Sequence, residues 1–506
     1  MLPTFAQGGT MMVWLVALLV ALVGSPAVAQ QTSLIDLLTA KGILTASEAQ
    51  QLQSTGGVGT HQQQALIQLL QQKGVLSESD IAQLRPSRGV PSASTHVAQP
   101  SPVPAADFSD RLTRLEDEVN RKPALTAGYD NGFFVRSADG NFSLRVGGRA
   151  TLHGLYQQED TAQNDSLFMD RVRFFMDGVL YKYIQYKVET DFTSSSGLRD
   201  AYLNFAYDPR ANVQIGQYKV PFSYEALLSK RYLDLVERSA ISLNAVSPSR
   251  DIGLMLHGKL SGGLLAYQLA VLNGSGQNSK DNNSAKDIAA RFVLSPFVAD
   301  KNSPLQSLNV GGAVTFGHQP KSKGIGGVTP TGFEFFKPVD VRGDRLRVDG
   351  HIAWAHGPFS LTGEYLYTSE ERQRLGKSGE DLSDFVTMGG YIGGTWLLTG
   401  EKKVMNKPNR PAHIFLDPLG QMDGWGAWEV AARYEYFTLD DAADGKPGAL
   451  KRNRFDAARI GLNWYLNANT RISLEYLYSL FDDAYRSPRF GHHSVNSILT
   501  RVQVEF

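Results

Sequence analysis

SVNSILTRVQVEF, Ser494–Phe506, reads by twos. Ile498, Thr500, Val502, Val504 and Phe506 fall on one side, and Leu499, Arg501, Gln503 and Glu505 on the other. Successive side chains of a strand point to opposite faces, so this is a strand with one apolar and one mostly polar face. It ends on an aromatic residue. The expectation is a last strand that closes a sheet upon itself.

Working back from it, the same alternation runs from Ala124 onward. About sixteen such runs fit into about 383 residues, roughly 24 per strand with its connection, the spacing of a transmembrane barrel. Clear cases are Phe142–Leu155, Val172–Leu180, Ile184–Phe192, Ala201–Tyr207, Asp287–Leu294, Leu346–Trp354, Phe359–Tyr367, Trp428–Tyr436, Ala458–Leu466 and Ile472–Leu480. Tight turns such as Asp208-Pro209-Arg210 and His356-Gly357-Pro358 alternate with long polar connections such as Gly274–Lys286, Pro320–Gly343 and Asp482–His493. Short turns on one side and long loops on the other suit an outer-membrane barrel, whose terminal aromatic sits at an interface. An open sheet in lipid would leave edge groups unpaired, so the strands must close. Gly400–Gly424 breaks the rule, being long where a short turn is expected.

The first 123 residues have a different rhythm. Met11–Val23 is an apolar run of about thirteen residues followed by Ala27-Val28-Ala29. That is too short to span a bilayer and reads as a cleaved leader, residues 1–29, although residues 1–10 carry no Lys or Arg. Residues 30–85 hold a repeat: Leu34-Ile35-Asp36-Leu37-Leu38 with Lys41-Gly42 returns as Leu66-Ile67-Gln68-Leu69-Leu70 with Lys73-Gly74. Each copy predicts a short amphipathic helix stopped at glycine. Residues 86–107 are a Pro/Ser/Ala linker. In 108–123, Phe108, Leu112, Leu115 and Val119 make a short coiled-coil seam. The expected fold is therefore all-β, an antiparallel barrel over 124–506 behind a small helical and coiled-coil region. That region is a candidate anchor for peptidoglycan or a periplasmic partner.

Composition excludes several classes. Lys plus Arg and Asp plus Glu are both 50, so no net field recruits nucleic acid. There is no cysteine, hence no disulfide, thiol catalysis or Cys-ligated metal. A hydrolase would need Ser, His and a carboxylate converging on one site. The inward His153 and His351 lie on distant strands, and His492-His493 sit in a loop. Neither enzyme, cofactor nor metal is expected.

With the apolar faces given to lipid, Arg145, Arg149, Arg171, Arg173, Arg291, Arg345, Arg347, Arg433, Arg459, Arg471 and Arg501 point inward. Pairing the last strand with the first gathers Arg459, Arg471, Arg501, Arg145, Arg149, Arg171 and Arg173 into a basic ribbon. Arginine suits an anion path because its fixed charge and planar fork match oxyanions. Lys219–Arg250 is too apolar for a loop in water, with Pro221, Phe222, Tyr224, Leu227, Leu228, Tyr232, Leu233 and Leu235. It is expected to fold into the lumen. Lys219, Lys230, Arg231, Arg238 and Arg250 would then charge the constriction against Glu225, Asp234, Glu237 and Asp251.

Several spaced motifs then carry a resemblance. Gly128-Tyr129, Gly132-Phe133, Arg136-Ser137, Asp139-Gly140 and Gly148-Arg149 open it; Arg199-Asp200-Ala201-Tyr202, Gly216–Ser223, Glu237-Arg238-Ser239 and Arg250-Asp251-Ile252-Gly253 continue it. With the ending Arg501–Phe506, they are similar to the phosphate-selective porin (O and P) family. The resemblance implies a homotrimeric sixteen-stranded porin in outer-membrane lipid, with an arginine ladder and a basic constriction loop. Its central constriction lysine falls at or beside Lys230-Arg231, with Arg231 at the position. It implies diffusive passage of small, phosphate-like anions. A weakly selective porin and a structural anchor are the alternatives.

Overall fold

The computed structural model describes residues 125–506, apart from 159–160, 196, 418–419, 421–422 and 442–443. The leader, repeat, linker and coiled-coil readings lie outside the described residues.

A hairpin comes first, β1 (Leu125–Tyr129) and β2 (Phe133–Ser137). The strands that follow are β3 (Ser143–Gln157), β4 (Ser166–Leu180), β5 (Ile184–Asp191), β6 (Leu198–Asp208), β7 (Ala211–Lys219), β8 (Arg250–Leu260), β9 (Leu265–Leu272), β10 (Asp287–Leu294) and β11 (Asn309–Lys323). Then come the short pair β12 (Gly327–Val328) and β13 (Glu334–Phe336), then β14 (Asp340–His356), β15 (Phe359–Arg372) and β16 (Leu382–Leu397). A second short pair, β17 (Ile414–Phe415) and β18 (Asp423–Gly424), precedes β19 (Ala427–Asp441), β20 (Asn453–Tyr465), β21 (Thr470–Phe481) and β22 (Ser494–Glu505).

Eighteen strands share one sheet, and without the β1–β2 hairpin sixteen remain in a ring. Each pairs antiparallel with its chain neighbour, and β22 pairs with β3 from Ser497↔Gln157 to Glu505↔Arg149. The ring is thus a closed sixteen-stranded antiparallel barrel. Closure gives every strand two partners, the condition for crossing lipid.

The terminal stretch behaves as its alternation requires. Ile498, Val502, Val504 and Phe506 are exposed on the outer face, while Leu499, Arg501 and Gln503 are buried inward. Gly148 and Phe506 exchange backbone hydrogen bonds of 2.8 and 3.0 Å. The Phe506 ring packs over Gly148, where a Cβ would collide with it. β2 takes up the same edge of β3 from Val146 onward. Deleting Phe506, or Gly148→Val, is therefore expected to lower the fraction of barrel that assembles. Heat-modifiable gel migration of membrane extracts checks this; unchanged assembly in both variants contradicts the seam described.

Three connections turn inward. The first is 220–249, as its apolar content predicts: Val220, Phe222, Leu233, Leu235, Val236 and Ile241 are buried. It carries two short helices, α1 (Tyr224–Leu227) and α2 (Ala240–Asn244). The second, 324–339, corrects the expectation of a long polar loop. Ile325, Phe335 and Phe336 are buried. The Phe335 ring lies 6.0 Å from Phe437 and 5.7 Å from Phe455, and Phe336 stacks on Phe385 at 5.7 Å. Aromatic rings this size leave water whenever wall rings can receive them. The third is the odd connection after β16. Its Lys403 is buried, with Nζ 2.6 Å from Asp234 of the first insert and 2.5 Å from Glu429 of β19.

Candidate functional site

The 220–249 insert is held to the wall by charged side chains acting on its backbone. Carboxylates accept its amide hydrogens: Glu364 from Tyr224 (2.6 Å) and Glu225 (3.2 Å), Glu475 from Val236 (2.6 Å), and Glu435 from Ala240 (3.3 Å). Guanidiniums donate to its carbonyls: Arg459 to Glu237 (2.8 Å) and Arg238 (3.2 Å), Arg471 to Leu233 (2.8 Å), and Arg501 to Val236 and Lys230. Arg149 donates to Ser229 Oγ at 3.0 Å, and Arg433 pairs with Glu225 at 2.7 Å. A segment with little regular structure has backbone groups that need partners once buried. Charged partners make the stronger bonds.

These anchors lie on β3, β15 and β19–β22. A cavity of about 430 Å³ is left between the insert and β4–β9. Its lining includes Arg171, Arg173, Lys187, Arg199, Lys219, Lys230, Arg238 and Arg250, but only two carboxylates, Glu189 and Asp200. Arg173 reaches Glu189 at 2.6 Å and Asp191 at 2.8 Å. Lys187 pairs with Asp200 (2.7 Å) and Glu189 (2.9 Å), and Arg250 with Asp200 (2.7 Å). Arg171 donates to Asp170 (3.1 Å) and Arg250 to Asp200, each through Nε alone. Among the described residues the terminal nitrogens of those two forks are uncommitted. Lys219 Nζ is spent on the carbonyls of Ala226, Leu227 and Leu228 at 2.8–2.9 Å.

The ten residues singled out from the sequence therefore separate. Arg171, Arg173, Lys219 and Lys230 line the cavity. Arg149, Arg459, Arg471 and Arg501 hold the insert in place. Arg145 forms a bidentate pair with Asp177 at 2.9 and 2.8 Å and opens onto a different pocket. Arg231 turns to Glu505 (3.1 Å) and over the Tyr232 ring, so of the two adjacent cations Lys230 faces the cavity. The single ribbon is divided because the insert covers most of it.

Four lining cations fall outside those ten. Arg238 and Arg250 belong to the connection already read as basic. Lys187 shares the parity of Glu189 on β5, so the alternation carried its signal. Arg199 does not follow parity. The β5–β6 register jumps from Glu189↔Asp200 to Thr190↔Leu198 and leaves it as the extra residue of a bulge. Asp170 is the same case on β4, where the register passes from Arg171 to Met169. Bulges re-aim side chains near functional sites. Here they turn a cation and a carboxylate inward.

His153, Asp170 and Glu237 bring ligand atoms within 4.8 Å of one another. Lys230 Nζ lies 3.2 Å from Asp170 and also bonds Glu237, so an ammonium already neutralises the cluster. Arg501 Nε donates to His153 Nε2 at 3.1 Å.

Residues 142–506 match the family described as phosphate-selective porin O and P. Porin O of Pseudomonas aeruginosa is 24% identical over 418 residues, 74% of this chain and 91% of that protein. An anion-selective porin from Comamonas acidovorans aligns at 12% identity and TM-score 0.44, covering 72% of this chain and 100% of that one. The trimer form of OmpT from Vibrio cholerae aligns at 10% identity and TM-score 0.48, covering 72% and 99%.

Proposed function

Because this chain belongs to the phosphate-selective porin O and P family of outer-membrane barrels, we propose that it is a diffusive channel for small anions, phosphate-like oxyanions among them. The observation that carries this reading is the cavity lining, with eight cations against two carboxylates. The barrel scaffold fixes that lining, and the 220–249 insert narrows the lumen onto it. Fixed charge in a narrow, low-dielectric passage is focused, whereas charge in a wide mouth is screened within about 8 Å at physiological salt. A chain of zero net charge is therefore compatible with anion preference. Six of the eight cations pair with a carboxylate, and Lys219 and Arg238 are spent on backbone carbonyls, so no single site holds an anion tightly, which suits passage over capture.

The assembly proposed is a homotrimer, exported with a cleaved leader. The proposed role of the N-terminal region is to contact a periplasmic partner. A weakly selective pore is the second reading, favoured by the pairing of Arg173, Lys187 and Arg250 with carboxylates. Reversal potential in a potassium chloride gradient across planar bilayers separates the two. A clear anion preference supports the first reading, a potential near zero supports the second, and cation preference overturns both.

Lys230 gives that preference a pH dependence. Burial pushes its ammonium down, against the pull of the Glu237 carboxylate, to about 8. A lysine is charged below its pKa, so this charge is present at neutral pH and lost as pH rises through about 8. Anion preference is expected to decline between roughly pH 7 and pH 9 and to flatten in Lys230→Met. Reversal potential measured against pH checks this. An identical slope in the variant assigns the dependence elsewhere.

A further inference from the structure

The cavity is not basic throughout. Toward β4 and β5 its lining is a charge ladder of Arg171, Arg173, Lys187 and Glu189. Toward β7–β9, below Lys219 and Arg250 at the strand ends, it carries Gln214, Tyr218, Met255 and Gln268, and the insert adds Ala226, Leu227 and Leu243. This end continues into the hydrophobic cluster of the barrel interior, which includes Tyr218, Val220, Phe222, Met255 and Ala270, with Tyr202 and Ala226 packed against it. Tyr218 is 3% exposed, and its hydroxyl has no hydrogen-bond partner. A buried polar group without a partner is costly unless something supplies one.

A hydrated inorganic anion engages the charged groups and gains nothing from the apolar side chains. We propose that the cavity is a subsite for carboxylates bearing an apolar body, of the size of an aromatic monocarboxylate. The carboxylate lies against the uncommitted forks of Arg171 and Arg250. The apolar body rests on Leu227, Leu243 and Met255. Tyr218 donates to a polar atom of the solute. About 430 Å³ is within the usual size of a small-molecule site, and here a minority of apolar side chains stands beside the charged ones. This deepens the reading of the cavity as the anion path and rests on it.

The test uses the full-length channel in planar bilayers, with chloride carrying the current and acetate, benzoate or phosphate added as probes. Acetate and benzoate share the carboxylate and differ in the apolar body. Benzoate is expected to reduce the chloride current at a concentration at least about tenfold lower than acetate. Leu243→Asn with Met255→Gln is expected to bring benzoate close to acetate. Tyr218→Phe, which removes only the hydroxyl, is expected to weaken benzoate a few-fold and carries the test where the double variant does not fold. Benzoate no more effective than acetate, or phosphate more effective than both, overturns the subsite while anion preference stands. Cation preference in the chloride gradient overturns the anion path itself.

Discussion

Arg459→Met is expected to raise single-channel conductance and to make it noisy, with discrete steps between two or more levels. Arg459 is buried between Glu475 (2.6 Å) and Glu435 (3.2 Å) and also donates to the carbonyls of Glu237 and Arg238. Both carboxylates are themselves bonded to the insert, at Val236 and Ala240. Removing the cation strands two buried carboxylates, a loss of about 3–5 kcal/mol. The barrel does not depend on this contact, because its ladder hydrogen bonds are untouched, so the cost falls on the 220–249 insert. Lys403→Met is expected to act in the same direction from the other side, by leaving Asp234 and Glu429 without their shared cation. Conductance histograms from purified variants check both. A quiet channel of unaltered conductance in Arg459→Met would show that the remaining anchors suffice.

Charge reversal on the cavity is the second large effect. Arg171→Glu with Arg250→Glu is expected to shift the anion-to-cation permeability ratio by roughly tenfold or more toward cations. At an effective dielectric of about 20, a unit charge roughly 6 Å from a passing ion is worth about 3 kcal/mol, before screening reduces it. Arg231→Glu is expected to shift the ratio far less, because Arg231 lies against Glu505 and outside the cavity lining. Lys321→Glu with Lys323→Glu is the surface control, since both lysines are more than half exposed and pair with Asp340. Reversal potentials of the three variants decide the matter. Equal shifts in all of them would place the constriction elsewhere.

Sequence alone determined the barrel and the inward face of its strands. Alternation is a local property: each residue's face follows from its neighbours, so Arg149, Arg173, Arg459, Arg471 and Arg501 could be assigned inward without knowing which strands pair. The lumenal fold of 220–249 was legible for a similar reason, since its apolar residues had no other place to go. Tertiary structure decided what the inward charges do. Arg459, Arg471 and Arg501 meet backbone carbonyls more than 200 residues away in sequence, and that depends on where the insert lies across the lumen. Arg199 and Asp170 turn inward through bulges, which arise from register between two strands and break the parity of one. Phe335 and Phe336 in 324–339, and Lys403 after β16, are buried because distant walls offer rings and carboxylates to receive them. Periodicity is written residue by residue along the chain; the partner of a buried charge is a matter of three-dimensional proximity, which closure of the barrel creates.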